Sequence, residues 1–199
     1  KQVAATQAVI AGEMEPTVLV KGGESLSLGG DVTVSVHAIP GHTPGSVAYV
    51  IDGQNDVFVG DAVQIHGAAN GFPGFTDPVA YRASLQYLRD GIQPAHLYLG
   101  HPYRAANGEP YGVELDSEQA QKALQESLDV EGRLSVAARD CLAHGLEYSA
   151  SPYSPFASVA EAVGYTGDPT LEPSPFFTSM HGYRTRFEHT RFDRTSGQA

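Results

Sequence analysis

The sequence predicts an α/β (α+β) fold, and three patterns carry that reading. Between Val18 and Val59 short apolar, β-branched runs recur, separated by glycine turns, and Asp31 to His37 alternates apolar and polar residues with the period of a half-buried strand. After Val79 the spacing changes to that of a helix, with Leu85, Leu88 and Ile92 on one side, before a further strand-like run at Ala95 to Leu99. Beyond Asp116 the helical spacing dominates.

Taken in order, Gln2 to Ile10 is alanine-rich and reads as the end of a helix closed near Gly12. Val18 to Val20 and Ser25 to Leu28 read as short strands set off by Gly22-Gly23 and Gly29-Gly30. Asp31 to His37 follows, then Ser46 to Ile51 and Asp56 to Val59, joined by a turn at Asp52-Gly53-Gln54-Asn55. Ala62 to Pro78 is a loop, Val79 to Gly91 a helix and Ala95 to Leu99 a strand. Asp116, with Gln119 three residues on, is the N-cap signature of a helix through Leu128. Further helices are expected from Gly132 to His144 and from Phe156 to Val163. Gly164 to Arg186 is too apolar for a disordered linker and too interrupted by proline for a long helix, so an irregular arm packed on the domain is expected.

Bulk properties narrow the function classes. Apolar residues make up 41% of the 199, with no run near the 18 that a membrane span needs and no secretory leader, so no membrane partner is expected. A single cysteine, Cys141, rules out an internal disulfide and is compatible with a reducing, cytoplasmic location. It lies among Val136, Ala137 and Leu142 and reads as a small buried hydrophobe. The formal net charge is −11, and residues 1–180 hold eight basic against 21 acidic residues, a net of −13. Such a body repels phosphate backbones and argues against nucleic acid. Arg184, Arg186, Arg191 and Arg194 concentrate the basic charge at the end. Lys1 stands where an initiating Met would, so the start is expected to result from a cut.

The chemistry lies in three blocks: Gly41-His42-Thr43-Pro44-Gly45-Ser46, Gly60-Asp61 and Gly100-His101. Each follows an apolar run, turns on a glycine and leaves a metal-ligating side chain at a strand end. Two imidazoles and a carboxylate suit zinc or iron; calcium prefers oxygen donors alone. In order and spacing these blocks resemble the third, fourth and fifth metal motifs of the metallo-β-lactamase superfamily, over roughly residues 17–105. The resemblance implies His42 and His101 as ligands of one metal each and Asp61 as a bridge between them. It implies two zinc ions, with iron or manganese as alternatives, and a four-layer αββα sandwich. That family's His-x-His-x-Asp-His motif does not occur upstream of His42, where His37 is the only histidine. Residues 1–105 are therefore expected to form the C-terminal half of such a sandwich, with residues 106–199 as a helical and Pro/aromatic-rich extension. The partner expected is an N-terminal fragment of the same protein carrying the remaining ligands.

Around this site His66 and Tyr103 are candidate proton donors or oxyanion contacts. Phe72, Phe75, Phe176, Phe177, Met180 and Tyr183 are candidates for the lining of a cleft that holds an apolar carbonyl substrate. His37 reads as structural or surface, His96, His144 and His189 receive no function, and His181 matters only if the arm folds over the site. With the long extension, the chain is similar to metallo-β-lactamase-fold thioesterase/cyclases of aromatic polyketide pathways. A glyoxalase II-like or lactonase-like hydrolase is the competing enzyme, and a non-catalytic scaffold of the same fold is the reading from another class. Asp61 stands where some β-lactamases carry cysteine, which disfavours β-lactam hydrolysis of that kind.

Overall fold

The computed structural model of the chain describes residues 18–63, 74–104, 110–143 and 178–187. Six strands form one sheet in sequence order: β1 Ser25–Gly29, β2 Val32–Ala38, β3 Val47–Ile51, β4 Asp56–Gly60, β5 His96–Arg104 and β6 Pro110–Asp116. All neighbours are antiparallel except β4 and β5, which are parallel and joined through helix α1, Pro78–Gln86, and a π-helical turn, Tyr87–Ile92. Helix α2, Ser117–Ala143, and helix α3, residues 178–187, complete the described chain.

Alternation within the strands divides the sheet into two faces. Val50, Val57, Leu97 and Leu115 lie in register across β3 to β6 and are all buried. They join one core with Leu85 and Leu88 and with Ala120, Ala123, Leu124 and Leu128 of α2. On the opposite face Tyr49, Phe58, Tyr98 and Glu114 form the corresponding row. There the Phe58 and Tyr98 rings stack at 4.5 Å, and Tyr49 and Phe58 are exposed.

Local signals set the ends of the elements. Asp77 caps α1, its Oδ1 accepting from the N–H groups of Val79 and Ala80 at 3.0 Å, and Pro78 occupies the first helical turn, where no N–H partner is required. Asp116 and Gln119 cap α2 reciprocally: Asp116 Oδ1 accepts from the Gln119 N–H at 2.9 Å, and Gln119 Oε1 from the Asp116 N–H at 3.1 Å. Asn55 closes the β3–β4 turn at φ +60° and donates Nδ2 to the carbonyls of Ile92 and Gln93, tying that turn to the approach of β5.

The structure corrects several expected elements. Val18 to Val20 is not a strand; Val18 and Leu19 are exposed and make no ladder. β5 runs on through His101 to Arg104, and β6, which carries no strong period-2 signal, pairs with it. The helices expected to break near Gly132 are one helix of 27 residues, because the buried stripe continues through Leu124, Leu128, Glu131, Leu134, Ala138 and Cys141. Residues 178–187, expected as part of an irregular arm, are helical, with Ser179, Met180 and Tyr183 buried on one side. The helices expected at Gln2–Ile10 and Phe156–Val163 lie outside the described residues. Cys141 is buried, as its neighbours suggest.

Candidate metal centre

His42 stands on a turn that only glycine can lead. Gly41 has φ +142°, and a Cβ there would collide with the Cα of Tyr81 on α1. The Gly41 N–H donates to Thr43 O at 3.2 Å, and Ile39 N–H to Ser46 O at 2.9 Å, closing the loop between β2 and β3. Thr76 and Asp77 donate their N–H groups to Gly41 O at 2.8 and 3.2 Å, fixing the turn to the start of α1. The His42 Nδ1 donates to the carbonyl of Gly74 at 2.6 Å. A carbonyl only accepts, so the neutral ring carries its proton on Nδ1 and presents its lone pair at Nε2.

Asp61 follows β4 directly. Gly60 has φ +53° at a shift in the β4–β5 register, and the chain turns there to leave the carboxylate above the sheet end. Gly100 makes room for it: a Cβ on Gly100 would fall on Asp61 Oδ1 and lie 2.9 Å from the Gly60 carbonyl carbon. The sequence shows Gly100 only as a turn residue before His101, yet it lies within β5 and its role is space.

The three side chains meet. His42 Nε2 is 3.8 Å from Asp61 Oδ2, and His101 Nε2 is 3.4 Å from Asp61 Oδ1. Their side chains are 27%, 39% and 45% exposed for His42, Asp61 and His101, so the cluster opens to solvent. These separations exceed a good hydrogen bond. Two donors bound tetrahedrally to one zinc at about 2.1 Å lie roughly 3.4 Å apart, so the spacing of this donor set fits a metal between each histidine and its oxygen. Among the described residues no three His, Cys, Asp or Glu side chains group around one ion. Each histidine faces a separate oxygen of the Asp61 carboxylate.

The expected surroundings are placed differently. Phe75, Met180 and Tyr183 do not line a cleft: they are 0%, 0% and 1% exposed, within the core. Phe75 stacks on Tyr81 at 4.5 Å and lies nearly perpendicular to Tyr183 at 5.6 Å, so neighbouring rings pack around it. His66, Phe72, Phe176, Phe177 and the side chain of Tyr103 lie outside the described residues, as do His144 and His189. His181 is exposed on α3. His37 Nδ1 pairs with Tyr87 Oη and His96 Nδ1 with Asp56 Oδ1, each at 2.8 Å and away from the three-residue cluster.

Behind the site lies a polar knot with no clear sequence signature. Glu131, 3% exposed, takes Arg82 Nη1 at 2.7 Å on one oxygen and the Tyr183 hydroxyl at 2.9 Å on the other. Burial pushes the Tyr183 phenol up, and the Glu131 charge and hydrogen bond push it further. Burial, then the Glu131 charge, raises Tyr81 as well.

Residues 7–105 match the family model of the metallo-β-lactamase superfamily. A hydroxyacylglutathione hydrolase of Hyphomonas neptunium is 36% identical over 107 residues, 54% of this chain and 40% of that protein. One from Rhodopseudomonas palustris is 34% identical over 148 residues, 72% of this chain and 56% of that protein. The chain thus spans about half the length of the curated relatives it matches. Among solved structures, a metallo-β-lactamase family protein from Thermus thermophilus aligns over 94% of this chain and 60% of its own, with a TM-score of 0.53 at 16% identity. A stereoselective inverting sec-alkylsulfatase from Pseudomonas sp. aligns over 87% and 27%, with a TM-score of 0.55 at 14% identity. At these identities the structural likeness concerns the fold alone. The sheet, the ordered Gly-His, Gly-Asp and Gly-His blocks and the matched model agree: the chain carries a metallo-β-lactamase superfamily domain across residues 7–105.

Proposed function

We propose that the chain provides the His42–Asp61–His101 half of a di-zinc hydrolase acting on a thioester of the hydroxyacylglutathione class. The observation that carries the metal assignment is that two imidazole Nε2 atoms face different oxygens of one carboxylate, at 3.8 and 3.4 Å. The substrate class rests on the relatives named hydroxyacylglutathione hydrolase. The polyketide thioesterase/cyclase reading loses its physical basis in part, because three of its six lining residues are core residues.

In this reading Asp61, His42 and His101 would hold the metal, the histidines offering Nε2 and Asp61 its carboxylate oxygens. The Gly74 carbonyl holds the His42 proton on Nδ1, which leaves the Nε2 lone pair facing Asp61. When bound, zinc supplies Lewis-acid polarisation of a carbonyl and lowers the pKa of water to about 7. Among the described residues His42, Asp61 and His101 are the donors gathered here, and in this reading a polypeptide bearing the His-x-His-x-Asp-His motif would supply the remaining ligands. Among the described residues no helix is long and apolar enough to cross a membrane.

The test is metal content and thioester hydrolysis by the protein assembled with those ligands. Two zinc ions per assembly and hydrolysis of a hydroxyacylglutathione are expected, both lost in Asp61→Ala while the far-UV circular dichroism is retained. Hydrolysis that persists in Asp61→Ala overturns the bridging role. An assembled protein without zinc, iron or manganese is the scaffold reading instead.

A further inference from the structure

We infer that Ser179, on helix α3, is a positioning residue for the His42 imidazole. The route runs through a single peptide group. The Gly74 carbonyl that accepts from His42 Nδ1 at 2.6 Å and the N–H of Phe75 belong to the same planar unit. The Phe75 N–H donates to Ser179 Oγ at 3.1 Å, in a bond buried from solvent and spanning 104 residues of sequence. The peptide is therefore held at both ends, and it cannot rotate without breaking one bond to α3 and another to His42. A peptide whose N–H is engaged also has a more strongly accepting carbonyl.

The helix that carries Ser179 is seated closely enough to act as a reference point. Gly182 packs against the backbone of Thr76: a Cβ there would come within 2.6 Å of the Thr76 carbonyl oxygen and 3.0 Å of its carbon. Met180 and Tyr183 are buried, and the Tyr183 hydroxyl bonds to the side chain and carbonyl of Glu131 at 2.9 and 3.1 Å. Ser179 itself is 0% exposed. Thr76 in turn bonds back to Gly41, one residue before His42. A helix far downstream thus sets the ring orientation that the proposed metal site needs, and the inference rests on the reading of His42 as a ligand.

The experiment compares wild type with Ser179→Ala, Ser179→Cys and Ser127→Ala. Ser127 is an equally buried hydroxyl, but it bonds to Ala123 O within α2 and serves as the control. The first readout is the His42 Nδ1 proton in nitrogen-15 spectra of the metal-free chain, assigned by its loss in His42→Asn. Wild type shows a slowly exchanging Nδ1 proton. Ser179→Ala exchanges it at least about tenfold faster, Ser179→Cys is intermediate, and Ser127→Ala matches wild type. The second readout is the dissociation constant for zinc ions in the assembled protein, expected to rise about tenfold in Ser179→Ala, within the range for loss of a group behind a metal ligand. If Ser179→Ala does not fold, Ser179→Cys carries the comparison. Unchanged proton exchange in the Ser179 variants, or an equal loss in Ser127→Ala, overturns the positioning role. Failure of wild type to bind zinc overturns the ligand reading, while the proton readout still decides the orientation.

Discussion

At Gly60 and Gly100 the same residue type meets two different physical demands beside one carboxylate. Gly60 needs its φ of +53°, but a Cβ there would meet nothing within 4 Å. Gly100 needs space, because a Cβ would occupy the position of Asp61 Oδ1 and press on the Gly60 backbone. Gly60→Ala should therefore cost about 1–2 kcal/mol of stability through the left-handed backbone alone, leaving zinc affinity close to wild type. Gly100→Ala should cost about 1–3 kcal/mol through overpacking and also displace the carboxylate from between the two Nε2 atoms. Its zinc affinity should fall about 10–100-fold, the scale seen when the support of a ligand is lost. Urea unfolding and competitive zinc titration of both variants separate the two. Equal zinc affinity in Gly60→Ala and Gly100→Ala would show that the space beside Asp61 is not what keeps the carboxylate in place.

At the scale of elements, the junction of α1, α2 and α3 is held by Glu131. Its carboxylate is 3% exposed and takes one bond from Arg82 of α1 and another from Tyr183 of α3. A buried charge with both partners present is tolerated; removal of one leaves the remainder undersatisfied. Tyr183→Phe deletes only the hydroxyl and should destabilise the protein by about 1–3 kcal/mol, read as a lower urea midpoint at unchanged slope. A midpoint equal to wild type would mean that Glu131 finds water in place of the phenol. The same residue explains why α2 was not legible as one helix. In sequence Asp129, Glu131 and Gly132 look like a polar break, whereas in the fold Glu131 belongs to the buried stripe because partners more than 45 residues away neutralise it. Helix α3 was hidden for a related reason. Only residues 178–187 of a Pro- and aromatic-rich stretch are described as helical, and their burial depends on contacts with Phe75 and Glu131 that no local period reports.

Over the whole molecule, legibility followed how local the signal was. β2, β3, β4 and the cap at Asp116 rest on near neighbours in sequence, and the glycine-led blocks that carry His42, Asp61 and His101 keep their order without tertiary knowledge. What escaped was fixed by distant contacts, including the pairing of β6 with β5 and the burial of Phe75, Met180 and Tyr183. Those contacts also give the molecule an alkaline limit. Burial and the Glu131 charge push the Tyr81 and Tyr183 phenols up, so the folded chain keeps both protons at pH values where the unfolded chain loses them, near 10. Above pH 10 the unfolded state binds fewer protons than the native state, so stability falls as pH rises; below it both states hold the protons and these groups contribute no slope. Each tyrosine adds about 1.4 kcal/mol per pH unit, or roughly 3 kcal/mol for the pair. Tyr98, raised by its surroundings and the Glu114 charge, and the chain's three lysines can add slopes of their own in that range. Urea midpoints should be flat with respect to these tyrosines from pH 8 to 9.5 and fall steeply from 10 to 11.5, with the fall about halved in Tyr183→Phe. A midpoint that holds to pH 11.5, or the same fall in Tyr183→Phe as in wild type, would place the alkaline weakness outside the Tyr81–Glu131–Tyr183 knot.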